Sequence, residues 1–292
     1  MTWIVGTPTM FGYGFGLSDV RVTLANKREE DCLQKIFPIG RHLAAGFAGS
    51  VAIGFDMIAE LRRLMNYQNE HIACDPEAVA REWPGQAKAV FDRAAESERA
   101  LHSHVMLICA HPQLHNGNPN LPRCYVMICR SPRFEVEHVR VHNLGSIGSG
   151  STYERCRAEI ERFAGDFRFR ETLMQGETGR SGGMGTMIGI NLTNTLQEAR
   201  VPGVSPHLHY CWVYRGRTVI QRNDHTTKGR WSIIPLGSGK DAESITSEDL
   251  QRNRACLPEG YSQFQMPEIA TTREELNILL QSRGLSAAGC TA

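Results

Sequence analysis

Four residues near the start of the chain have types and an order that could run one reaction. Thr2 follows Met1, Asp19 lies in SDVRVTL, Lys35 is the charge inside the apolar run CLQKIFPI, and Gly46 sits in AAGFAG. A small residue behind an initiator methionine favours its removal, which would leave Thr2 with a free α-amine beside its own hydroxyl-bearing carbon. Such an amine has a pKa of about 7.7–8.0, the range of a general base at neutral pH. A threonine hydroxyl is a poor nucleophile until a base takes its proton. A nearby ammonium such as that of Lys35 keeps the amine neutral by charge repulsion, and a carboxylate such as that of Asp19 holds the ammonium. The developing oxyanion needs a backbone N–H, and a glycine such as Gly46 lets a substrate approach the main chain closely. Each residue also has an ordinary reading. An Asp at a strand end is a turn residue, a Lys in a strand snorkels to solvent, and a Gly-Ala run serves tight sheet–helix packing.

These residues need elements to hold them. Residues 2–8 and 12–24 read as strands joined by a Pro-containing turn, with 32–39 and 42–49 as a third and a fourth. Asp19, Arg21 and Thr23 share one face of the second. The period then changes. Val51, Phe55, Ile58, Leu61 and Met65 recur at helical spacing behind a Ser50 cap. A second helical region spans 76–101, broken or kinked at Trp83-Pro84. Strands return at 104–110, 124–130 and 134–141. A helix starts at Ser151 with the capping pattern STYE, another covers 182–199, and a hairpin closes around Arg215-Gly216. Strands and helices alternate in blocks, which predicts an α+β fold: two antiparallel sheets face to face, flanked by helix pairs, a four-layer αββα sandwich. Residues 1–226 read as this domain. Residues 227–292 read as an extension with one helix near 271–283, stopped by Gly284.

Composition removes several function classes. The 292 residues carry a formal net charge of +1, with basic residues scattered, so no nucleic acid is expected as partner. No apolar run is long enough for a membrane helix, and no secretory leader is visible. The nine cysteines form no CxxC pair and read as small core residues of a reducing, cytoplasmic compartment. LGSGKD (236–241) lacks the first Gly and the Ser/Thr of a P-loop, and GYGFG is followed by no helix, so neither predicts a nucleotide cofactor. His102/His104 and His207/His209 could supply two imidazoles each, but unligated histidines are the commoner outcome; no metal and no cofactor are expected.

At this point the pattern resembles a family. TWIVG, SDVRVTL, KIFPI and AAGFAG, followed by an amphipathic helix, are similar in order and spacing to a proteasome β-subunit of the bacterial HslV type. GSIGSGSTYERC and GRSGGMG resemble the later Gly-Ser-Gly and Ser-Gly-Gly helix starts of that family. The resemblance spans roughly residues 2–220. It implies an N-terminal-nucleophile (Ntn) hydrolase fold and a threonine endopeptidase. Thr2 would be nucleophile and, through its amine, base. Lys35 would tune that amine, Asp19 would anchor Lys35, and the Gly46 N–H would receive the oxyanion. Ser149 would hydrogen-bond near the amine with Ser181 in support. Thr23 and Gly46 would pair with an extended peptide as an added strand, with Arg21 and Ala44 beside it.

The implied substrate is unfolded polypeptide, cleaved inside stacked homo-oligomeric rings. An ATP-dependent unfoldase is a partner by resemblance only. The chain departs from the family where it has Thr178, with Glu177 beside it, in place of an Asp three residues before Ser181. It also carries one extra residue between Thr2 and Asp19, and a longer tail. Two other readings stay open: a catalytically inactive or masked ring component, and an N-terminal-nucleophile amidase acting on small amides.

Overall fold

The structure, a computed structural model, describes residues 2–8, 14–67, 76–110, 124–140, 143–154, 157–158, 203–214, 217–223, 225–226, 262–263 and 267–292. The strands of its sheets pair antiparallel. One five-stranded sheet contains, in spatial order, β10 (Gly145–Ile147), β1 (Ile4–Pro8), β2 (Gly14–Asp19), β11 (Leu208–Tyr214) and β12 (Arg217–Asn223). The other contains β5 (Ile36–Gly40), β6 (Leu43–Gly49), β7 (Ser103–Ala110), β8 (Cys124–Arg130) and β9 (Val136–Val139). A separate ribbon pairs β3 (Arg21–Thr23) with β4 (Glu29–Asp31). The described helices are α1 (Val51–Tyr67), α2 (Pro76–Arg93), the short α3 (Glu96–Arg99) and α4 (Arg273–Ser282).

Residue alternation on β6 explains how the layers form. Ala44 and Ala48 turn to the first sheet and share a buried cluster with Ile4, Met106, Val126 and Cys211. Leu43, Ala45 and Phe47 turn the other way and pack with Ile58, Leu61 and Trp83 of α1 and α2. A period of two therefore lays β6 between a sheet on one side and helices on the other. The sheets approach closely because glycines face the gap: a Cβ at Gly16 would lie 2.3 Å from Ile108 Cδ1. On the helix side, a Cβ at Gly54 would lie 2.2 Å from Phe47 Cδ2, a ring held among Phe37 and Phe55. Gly54→Ala is therefore expected to lower stability by about 1–3 kcal/mol through overpacking. Urea denaturation checks this, and an unchanged midpoint would refute it.

Several boundaries differ from expectation, each for a local reason. The segment 12–24 is not one strand. The chain leaves the sheet after Asp19, where the Val20 carbonyl accepts from the amides of Cys32 and Leu33 at 3.0 Å each, and continues as β3 in the ribbon. The third strand begins at Ile36, later than expected. Helix α2 runs through Pro84, and the break falls after Arg93 instead. Proline removes one helical hydrogen bond, and the fully buried Trp83 anchors the helix regardless. A 3₁₀ turn, Ser149–Thr152, occupies the expected helix start at Ser151, and helical residues follow it at 154 and 157–158, where Arg157 N donates to Tyr153 O at 2.9 Å. Ser151 Oγ donates back to Gly148 O rather than capping a helix. The unforeseen β10 precedes it. The expected helix over 182–199 and most of 227–266 lie outside the described residues. Ser50 does cap α1, its Oγ accepting from Ile53 N at 3.2 Å.

The last described stretch packs onto the body. Thr272 Oγ1 accepts from Glu275 N at 3.1 Å to start α4, and Gly284 closes it at φ 69°. Leu276, Leu279 and Leu280 join the helix-side core, together with Cys290 and Ala292. No described helix is long and apolar enough to cross a membrane.

Candidate active site

The candidate site starts from β1. Its first residues are trapped by neighbours 140 or more positions away. Ile4 pairs with Ile147 of β10, and Gly150 N donates to Thr2 O at 3.1 Å. Gly148 has φ 89°, and a Cβ there would sit 2.1 Å from Thr2 O. At Gly150 a Cβ would sit 2.5 Å from the Trp3 side chain. Only glycine permits this approach, so the Gly-Ser-Gly run is a mould around Thr2 and Trp3. Between the two glycines, Ser149 Oγ accepts from Thr2 N at 3.2 Å. Trp3 Nε1 reaches Ser146 Oγ at 3.1 Å.

Asp19 and Lys35 meet directly beneath this turn. Lys35 Nζ donates to Asp19 Oδ1 at 2.9 Å, and both side chains are completely buried. The same Oδ1 accepts from Trp3 N at 2.8 Å. Oδ2 accepts from Arg21 N at 3.1 Å and from Ser205 N at 3.2 Å. The carboxylate is thus held by three backbone amides from three parts of the chain as well as by the ammonium. Burial pulls the Lys35 ammonium below its ordinary pKa, against the opposing pull of Asp19. Thr2 is itself fully buried, and its Oγ1 has no hydrogen-bond partner among the described residues. A buried hydroxyl left unpaired costs about 1–3 kcal/mol. The arrangement keeps an unspent hydroxyl next to an amide linked through one carboxylate oxygen to a buried cation.

The remaining expected residues are placed differently. Arg21 is engaged with Asp31 and Glu29, its Nε donating to Asp31 Oδ1 at 2.7 Å. Burial would raise the Asp31 carboxyl, but the Arg21 hydrogen bond and charge outweigh it and hold the group below its ordinary value. Ser205 Oγ ties Asp31 to this cluster at 2.8 Å. Ala44 is fully buried between the sheets, not on a cleft wall. Gly46 lies mid-strand, opposite Ile36 on β5 and Met106 on β7. Phe47 N donates to Lys35 O at 3.1 Å, and Ser50 N donates to His102 O at 3.0 Å. Alternation along β6 therefore turns the Gly46 amide toward β7, away from Lys35. A Cβ at Gly46 would press on Ile36 and Ile4, so tight packing accounts for this glycine. Ser181, Thr178 and Glu177 lie outside the described residues.

Sequence reasoning missed Gly148, Gly150, Ser205 and Asp31. The glycines were visible as the Gly-Ser-Gly run, whereas nothing local marks Ser205, which reaches Asp19 from 186 residues away. Among the described residues no group of three or more His, Cys, Asp or Glu could hold a metal ion. The described cysteines Cys32, Cys109, Cys124, Cys129, Cys211 and Cys290 are all buried free thiols. A scan against protein-family models finds none that matches the chain, and a search of curated proteins finds no match either.

Proposed function

We propose that the chain is a threonine-type endopeptidase of the proteasome β-subunit kind, with Thr2 as its nucleophile. The observation that carries this reading is the buried relay from the Thr2–Trp3 main chain through Asp19 Oδ1 to Lys35 Nζ, beside the unpartnered Thr2 Oγ1. Among the described residues Thr2 Oγ1 is one of several buried polar atoms without a hydrogen-bond partner, Ser18 Oγ and Trp83 Nε1 being others. What supports its reading as nucleophile is that its own main chain adjoins the Trp3 amide held by Asp19 and carries the nitrogen held by Ser149. Opening the Met1–Thr2 peptide bond frees the nitrogen that now hydrogen-bonds to Ser149 Oγ. That amine takes the Thr2 hydroxyl proton, Oγ1 attacks the scissile carbonyl, and the amine returns the proton to the leaving nitrogen. Water then resolves the ester by the same route. Lys35 opposes protonation of the amine, and Asp19 fixes Lys35. The Gly46 amide is turned to β7, so the oxyanion requires another donor exposed beside Thr2.

The reading extends to a four-layer sandwich and to stacked rings working in the cytoplasm on unfolded polypeptide. A second reading, a masked or non-hydrolytic ring component, is favoured by the orientation of the Gly46 amide. A small threonine-directed electrophile separates the two. Mass spectrometry of the N-terminal peptide is expected to find Met1 removed and one adduct on Thr2. An intact Met1 with unmodified Thr2 would overturn the hydrolase reading.

A further inference from the structure

The edge of β6 changes partner beyond Lys35. Phe47 N donates to Lys35 O, but two residues on, Gly49 N donates to Ala292 O at 2.8 Å, and Val51 N donates to Cys290 O at 3.1 Å. In return Ala292 N donates to Gly49 O at 2.7 Å. The other edge of the same short segment faces the ribbon. Thr23 N donates to Thr291 O at 2.8 Å, and Thr291 N donates to Thr23 O at 2.9 Å. Thr291 is bridged antiparallel to Thr23 on one side and to Ser50 on the other. Cys290 and Ala292 are 1% and 2% exposed. The segment is therefore a single inserted strand, hydrogen-bonded along both edges.

Its two walls are those that carry the candidate site. Thr23 lies four residues beyond Asp19 on the strand that leaves the Asp19 carboxylate. Gly49 lies three residues beyond Gly46 on the strand opposite Lys35. A gap between two unpaired strand edges binds extended backbone by strand addition, reading main chain rather than side chains. With the gap between β3 and the end of β6 taken as the peptide cleft of the proposed function, we infer that Cys290–Ala292 occupies it in cis as an internal competitor. This rests on reading those two strands as the walls of a peptide site. The occupant has small side chains, and its five backbone hydrogen bonds to the walls are the kind any extended peptide could make. It is fastened upstream by Gly289 at φ 67° and by the turn after α4, so residues 290–292 can leave the cleft without unfolding α4. A tethered strand acts at an effective concentration of about millimolar, enough to hold off peptides that bind at micromolar to millimolar levels.

The test uses two variants of the full chain, Thr291→Pro and removal of Cys290–Ala292. Proline deletes the N–H given to Thr23 and leaves the rest of the chain in place. The probe is a fluorescent synthetic peptide of residues 286–292, held reduced. Both variants are expected to melt cooperatively and to bind the probe about 10- to 100-fold more tightly than the unaltered chain does, as the cis competitor is lost. Equal binding by all three proteins would overturn the inference. So would loss of cooperative folding in both variants, which would make the segment a structural staple. A small electrophile too short to reach Thr23 reports on Thr2 independently. Tighter probe binding without a Thr2 adduct keeps the cleft and removes the nucleophile, and an adduct without tighter binding does the reverse.

Discussion

Replacing Thr2 with alanine is expected to lower peptide hydrolysis by about a thousand-fold or more, since it removes the only nucleophile in the proposed reaction. Its effect on stability is expected to be small. The lost methyl contributes about 1 kcal/mol of burial, while the lost hydroxyl is one whose burial without a partner costs about 1–3 kcal/mol. Thr2→Val separates these terms. Valine keeps the methyl, replaces the orphan hydroxyl with another, and is expected to stabilise the fold by about 1 kcal/mol while leaving no activity. A structural threonine would not behave this way; its replacement would cost stability. Hydrolysis at the unaltered rate in Thr2→Ala, or clear destabilisation by Thr2→Val in a thermal melt, would end the proposal for this residue.

The second large effect belongs to Lys35. Its ammonium is completely buried against Asp19, and breaking a buried pair from one side leaves the other charge uncompensated at a cost of about 3–5 kcal/mol. Lys35→Met is therefore expected to lower stability by that order and to abolish hydrolysis. Asp19→Ala is expected to cost more still. It strands the lysine and also three backbone amides, those of Trp3, Arg21 and Ser205. The ordering of the two variants in denaturant is the measurement. If Asp19→Ala proves the milder, the carboxylate is not the hub described here.

Much of this was legible in the sequence because it was periodic. The apolar run HLAAGFAG marked a strand, and steps of three and four from Val51 marked a helix. The pairing of Asp19 with Lys35 was anticipated from residue type and order, and the structure brings them to 2.9 Å. Other features depended on distant contacts. The strand read over 12–24 breaks at Val20 because Cys32 and Leu33, far along the chain, take its carbonyl. Ala44 and Gly46 looked like cleft residues because small side chains signal either open space or tight packing. Only the opposing Ile4, Ile36 and Met106 decide for packing. The tail looked like polar extension because its few apolar residues are spaced for one helix face. The inserted strand after it has no pattern of its own; its structure comes from the two edges that receive it.

The distance in sequence between those edges has a consequence for biosynthesis. Thr23 and Thr291 are 268 residues apart. At about 5–20 residues per second of translation, the receiving edges wait tens of seconds for the strand that closes them. During that interval the nascent polypeptide carries an open acceptor for any passing extended backbone. A chaperone that shields strand edges at the ribosome would thus be expected to raise the yield of properly closed chains.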